Sequence, residues 1–159
     1  MKTLRVLDSE NVERRQIMSL EILEAKEAIR EVIDVFSNLE IDVPAQMQLF
    51  TEDARVKVYM GGNLAMDITG RAELEKQFGA FTGGIKAAHH MNGQQVITVD
   101  GDTAVDVHYC RAALVTEEDG HDVVTDHYIR YIDKLVRQNG EWKISEREQH
   151  FVISKKQTL

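Results

Sequence analysis

Three turn dipeptides, Asp100-Gly101, Asp119-Gly120 and Asn139-Gly140, divide the second half of this chain at nearly even intervals. Asp-Gly and Asn-Gly supply the positive-φ residues of a tight hairpin turn, because glycine has no Cβ and Asp and Asn tolerate the left-handed region. Between the turns run β-rich stretches: Thr103 to Glu117, Val123 to Gln138 and Glu141 to Ile153, preceded by His89 to Val99. Strands joined by such turns run antiparallel, so the spacing predicts a four-strand meander. The segments share no motif beyond the turns, which argues against a repeat. They exceed the usual five or six residues, and long strands twist. A strongly bent sheet follows.

The first half reads differently. Ile22, Ala25, Ile29, Val32, Phe36 and Leu39 recur at steps of three and four, one apolar stripe of a helix, with charged residues between them. Residues 1–19 form an N-terminal extension that can also be helical. Asp42 reads as an N-cap with Pro44 in the first turn, where a missing N–H costs nothing. Val43, Met47 and Phe50 give this short helix one apolar side. Thr51-Glu52-Asp53 reads as a turn. Ala54 to Met60 and Leu64 to Thr69 read as a hairpin around Gly61-Gly62-Asn63. Gly70 leads into a third helix carrying Leu74, Phe78 and Phe81, and Gly83-Gly84 ends it. With one proline and no flexible linker, the 159 residues are expected to form a single α+β domain, 1–159. Its sheet of about six antiparallel strands should curve around three helices in its concave face.

A chain of this length buries roughly 70% of its unfolded surface, so no metal or disulfide is required to hold it. Cys110 is the single cysteine, which excludes an internal disulfide and fits a reducing compartment. Nineteen basic against 27 acidic residues give a net charge of −8. Such a surface repels phosphate backbones and anionic headgroups, so neither nucleic acid nor membrane is an expected partner. The N-terminus carries no apolar core of a secretory signal, and no apolar run matches a membrane helix. The expectation is a cytoplasmic protein.

Several patterns then align in order: the helix Ala25 to Phe36, then Leu49-Phe50-Thr51-Glu52-Asp53-Ala54 entering the first strand, and Gly70 opening the third helix. They continue with His90, Gly93, Val96 and Val99-Asp100-Gly101-Asp102-Thr103-Ala104. Tyr131-Ile132-Asp133, Leu135-Val136-Arg137, Asn139-Gly140-Glu141-Trp142-Lys143-Ile144 and Arg147 complete the set. Over roughly residues 20 to 150 the chain resembles the SnoaL-like branch of the nuclear-transport-factor-two-like superfamily. That resemblance implies a cone-shaped α+β fold. Its members include polyketide cyclases, scytalone-dehydratase-like lyases, ketosteroid isomerases and plain ligand-binding or scaffold proteins, so fold alone does not name a function. The first-helix acid of the dehydratase-like pattern aligns with Leu39 and its second strand histidine with Leu114. Only the histidine at His89 or His90 is retained.

Consecutive strand residues point to opposite faces, so one of His89 and His90 at most lines a pocket. A three-residue loop at Asp100 to Asp102 sets His90 opposite Ala112 and turns it inward, with His89 near the rim; a two-residue Asp100-Gly101 loop would turn His89 inward instead. The family spacing selects His90. Asp106 and His108 lie two apart on one strand, on a face shared with Cys110, Ala112 and Leu114. A carboxylate there could orient an imidazole base. The apolar opposite face, with Val105, Val107 and Tyr109, fits equally as core, which would leave Asp106 and His108 solvated; periodicity favours that second arrangement. His127 and Tyr131 share another face and can hydrogen-bond a ligand oxygen. Arg147 could hold a carboxylate, though a cross-strand ion pair is its commoner use. Phe36, Met47, Phe50 and Phe78 are expected on the pocket wall. No tight metal-ligand spacing and no phosphate-binding glycine loop is present, so no metal or cofactor is expected.

The leading expectation is therefore a pocket for a small, mainly apolar, oxygen-bearing molecule. Cofactor-free acid–base chemistry of isomerase, cyclase or lyase type would use His90, His108 and Asp106. The rival is a non-catalytic ligand-binding or oligomerisation module, favoured by Leu39 and Leu114. Apolar residues on both faces of the long strands predict a homodimer, because helices cover one face only.

Overall fold

A computed structural model of the protein describes residues 19–159. Most of the expected N-terminal extension lies outside the described residues. Helix α1 (Leu20–Asn38) starts at Ser19, whose side chain accepts a hydrogen bond from the Ile22 N–H. The short helix α2 (Val43–Met47) is capped by Asp42 through the Ala45 N–H, with Pro44 in its first turn. Strands β1 (Phe50–Met60) and β2 (Asn63–Thr69) form a hairpin, and helix α3 (Arg71–Thr82) follows. Strands β3 (Ala87–Asp100), β4 (Thr103–Glu118), β5 (His121–Gln138) and β6 (Glu141–Thr158) form the meander. They run 14, 16, 18 and 18 residues, well beyond the usual length.

The six strands form one sheet in the order β2-β1-β6-β5-β4-β3. Every adjacent pair is antiparallel except β1 with β6, which is parallel, so the sheet is mixed rather than wholly antiparallel. Local turns build the two antiparallel blocks, and the parallel seam joins residues about ninety apart, where no turn dictates direction. Thr51-Glu52-Asp53 is not a turn but part of β1. Phe50 pairs with Ile144 and Arg55 already with Glu146, so these residues bulge out of the ladder.

Asp119-Gly120 and Asn139-Gly140 occupy two-residue turns with positive φ at both positions. At the third turn the loop is Gly101-Asp102, because Asp100 still pairs with Thr103. Neither loop expected there occurs.

In α1 the fully buried line is Ala25, Ile29, Ile33 and Ser37, while Val32 and Phe36 are partly buried beside it. The stripe is rotated relative to its expected position because Phe36 turns toward a cavity instead of into packed core. Leu74 anchors α3 with no exposed surface, whereas Phe81 is 64% exposed. Val56, Val58, Leu135, Trp142 and Ile144 complete the core from the sheet. No described helix is long and apolar enough to cross a membrane.

Candidate active site

Between the helices and the concave face of the sheet lies a cavity of about 360 Å³. Its wall is mainly apolar. It includes Phe36, Met47, Phe50 and Phe78, the four expected there, and from the sheet Ala112 and Leu114. His90, His127 and Tyr131 also line it and supply polar atoms, together with Gln46, Gln77 and Gln149. An apolar enclosure with a few convergent polar groups is the common build of a small-molecule site.

His90 reaches this wall through a bulge. From Asp100 back to Gln95 the β3 register pairs Gln95 with His108, but Asn92 then pairs with Cys110, so β3 carries one extra residue. The slip reverses which side chains face inward. His90 ends opposite Ala112 and lines the cavity, and His89 is exposed. The inward residue is the expected one, but the shift arises at Asn92-Gly93 and not at the turn. Helix α1 holds the bulge in place: Asn92 accepts a hydrogen bond from the Ser37 hydroxyl and donates one to Asp34, both 2.9 Å.

The acid beside His90 is Glu40. Its Oε2 lies 2.5 Å from His90 Nδ1, and its Oε1 accepts from the His90 backbone N–H at 3.3 Å. The family acid position aligned with Leu39, and one further residue brings a carboxylate to the imidazole. Glu40 follows the last turn of α1 with φ 55°, where a helix usually ends on glycine. A non-glycine residue there costs about 1–2 kcal/mol. Buried Gln46 steadies this conformation by donating its amide to the carbonyls of Glu40 and Phe36, each at 3.1 Å. Strain held by a buried clamp is a common mark of a functional position. A carboxylate on Nδ1 accepts that proton and leaves the Nε2 lone pair for a ligand. The His90 side chain is 12% exposed, so the pair is sheltered but reachable.

Across the wall, His127 Nδ1 lies 2.7 Å from the Ser154 hydroxyl, and the edge of Phe151 packs on its ring. Burial holds the His127 imidazole below its ordinary value and so favours its neutral form. Burial raises the Tyr131 phenol well above its usual range, which keeps it a protonated donor.

Asp106, His108, Cys110 and Arg147 do not line the cavity. Asp106 and His108 are not solvated either: they are 0% and 2% exposed, and His108 Nδ1 is 2.6 Å from Asp106 Oδ2. They lie behind Tyr131, whose ring stacks on His108 at 4.8 Å. Arg147 forms the expected cross-strand pair, bidentate to Asp133 at 2.8 and 2.7 Å. Its guanidinium sits 4.1 Å from the Phe36 ring centre and 4.6 Å from that of Tyr131. These rings screen it from the cavity, so Arg147 supports the wall rather than touching a ligand. Cys110 is buried, and that burial pushes its thiol up to about 11. It is therefore a poor nucleophile at neutral pH.

Asp106, His108 and Asp133 bring ligand atoms within 4.8 Å of one another. Both Asp133 oxygens already accept from Arg147, and a guanidinium repels a metal ion, so this cluster is a charge network first. Glu40, Gln46 and Ser154 were not singled out by sequence. The one available sign was a glutamate, not glycine, directly after the α1 pattern.

Comparisons with known proteins agree with this architecture. Comparison with curated protein sequences finds no match. Among solved structures, the chain is similar to a protein of Novosphingobium aromaticivorans named "Putative Scytalone Dehydratase". The TM-score is 0.71 at 23% identity, covering 84% of this chain and 87% of that one. It is similar to a nuclear-transport-factor-two-like protein with a cystatin-like fold from the same organism, with TM-score 0.65 at 24% identity over 91% and 90%. It also resembles a type 2 hexachlorocyclohexane dehydrochlorinase, with TM-score 0.69 at 13% identity over 88% and 92%. Identities this low establish the shared fold. The sequence model of the SnoaL-like domain matches residues 21–148, and the chain belongs to the SnoaL-like domain family.

Proposed function

We propose that this protein is a cofactor-free acid–base catalyst acting on a small, mainly apolar, oxygen-bearing molecule. His90 is the base and Glu40 its orienting group. The observation that carries this reading is the 2.5 Å Glu40–His90 contact on the wall of an otherwise apolar cavity. An imidazole backed by a carboxylate can take a proton at Nε2 while its orientation and tautomer are held. Two structural relatives carry names of a dehydratase and a dehydrochlorinase. Loss of water and loss of hydrogen chloride both require removal of a proton from carbon, the step this pair is built for. Isomerisation and cyclisation through an enolate begin the same way.

The test is deuterium exchange at the acidic C1 position of 2-tetralone, a bicyclic ketone of a size the cavity admits, followed by proton NMR in D₂O. His90→Gln and Glu40→Gln should slow protein-catalysed exchange, the former by about 10²–10⁴-fold. Equal rates for wild type and His90→Gln would overturn the assignment of the base.

A second reading is a non-catalytic ligand-binding module. It is favoured by Leu114, apolar on the cavity wall where the dehydratase-like pattern has its second histidine. We also assign a homodimer through the outer face of the sheet. Val96, Val105, Tyr109, Tyr128 and Ile153 are 67, 42, 42, 40 and 54% exposed there. A reducing, cytoplasmic setting suits the single buried thiol.

A further inference from the structure

His90 and His127 stand in one row of the sheet. His90 pairs with Ala112 on β4, and Ala112 pairs with His127 on β5. Both imidazoles point into the same cavity, with only the alanine methyl between them. Two strand spacings separate their backbones by about 9–10 Å. Each ring has its Nδ1 engaged, His90 by Glu40 and His127 by Ser154. The two Nε2 atoms therefore remain for whatever occupies the gap.

The two partners permit opposite proton positions. A carboxylate only accepts, so Glu40 keeps the proton on His90 Nδ1 and leaves Nε2 a base. A hydroxyl can donate, and among the described residues the Ser154 Oγ has no other hydrogen-bond partner than His127. With that proton directed to Nδ1, His127 carries Nε2–H and is a donor. Burial favours the neutral form of this imidazole, which donates a hydrogen bond without carrying charge.

We infer that His127 is a second catalytic group, its Nε2–H directed at the oxygen on which negative charge develops, and that the site takes an enolisable ketone bound between the two histidines. This rests on His90 being the base. Hydrogen bonds of about 3 Å at either end leave a few ångströms of the gap. The carbon-to-oxygen span of an H–C–C=O unit, about 2.4 Å, fits that space. In the step, the C–H bond breaks and its proton goes to His90 Nε2. The bonding pair forms the C=C bond, and the carbonyl π pair moves onto oxygen, which accepts the hydrogen bond from His127. Return of a proton or deuteron from His90 to carbon regenerates the ketone, so no co-reactant is consumed. Leu114 leaves β4 without a histidine on the cavity wall, and His127 supplies the second imidazole from β5 instead.

The probe is 2-tetralone labelled with ¹³C at the carbonyl. Infrared spectra of the bound ketone report the hydrogen bond to oxygen, titration reports affinity, and exchange in D₂O reports proton removal. In the wild type the carbonyl stretch should move to lower frequency on binding. His127→Leu should abolish that shift, weaken binding about fivefold to tenfold and slow exchange by about 10²-fold or more. His127→Gln, which keeps an N–H donor, should recover most of the affinity. Nitrogen-15 spectra should show His127 with its proton on Nε2, and Ser154→Ala should reduce that preference. Failure of wild type to bind the ketone, an unchanged carbonyl stretch in His127→Leu, or a proton on Nδ1 of His127 would each overturn the inference. Because the infrared and tautomer readouts do not depend on turnover, they separate this result from loss of the His90 base, which alters exchange alone.

Discussion

Replacing Arg147 with methionine isolates what the buried charge network contributes. Arg147, Asp133 and Asp106 are each at most 1% exposed, and His108 is 2% exposed. The substitution keeps an apolar stem but removes both bonds to Asp133 and the cation stacked on Phe36 and Tyr131. It leaves two buried carboxylates served by one imidazole, and Asp106 Oδ1 already lacks a protein partner. Breaking a buried pair by deleting one partner costs about 3–5 kcal/mol. For a chain of this size each kcal/mol moves Tm by about 2–4 °C, so Tm should fall by about 6–20 °C. Differential scanning calorimetry at pH 7 measures it. Removing the stranded charge as well, in Arg147→Met with Asp133→Leu, should restore most of the loss, because a buried ion pair and an apolar pair of similar volume are often close in stability. A loss below about 1 kcal/mol, or a double variant less stable than both singles, would refute this account of the network.

Two further outcomes follow from backbone geometry and from the outer sheet face. Glu40→Gly should be more stable than Glu40→Ala by about 1 kcal/mol, the reverse of their order inside a helix, because position 40 has φ 55°. Paired thermal melts showing alanine equal or better would mean the left-handed conformation is not retained. Light scattering of the wild type should give about twice the 18.1 kDa chain mass, and Val105→Lys on the outer face should shift the protein to monomer. Wild type found only as monomer at micromolar concentration would remove the dimer.

The β-meander was legible because its determinants are local. Asp119-Gly120 and Asn139-Gly140 act on their own four residues, the turn after Asp100 is displaced by one residue, and the long β-rich runs leave little choice between them. The helices were legible for the same reason, through caps at Asp42 and spacing in α1. The candidate site was half legible. His90, His127, Tyr131 and the apolar wall residues were identifiable by type and face, and the inward choice of His90 depended on the family spacing. That choice was realised by a bulge at Asn92, fixed by hydrogen bonds to α1 residues more than fifty positions away. No periodicity within β3 can encode such a contact. Tertiary structure alone decided the parallel β1–β6 seam, the Glu40–His90 pair and the burial of Asp106 and His108. A charged residue can be buried only when its partners come with it. Asp106 meets His108 on its own strand, but Tyr131 and Asp133 come to them from β5, and Glu40 meets His90 on β3, so one-dimensional patterning reads Asp106 as solvated and passes over Glu40. Sequence by itself determined the pieces and much of their local geometry; packing decided which charges meet.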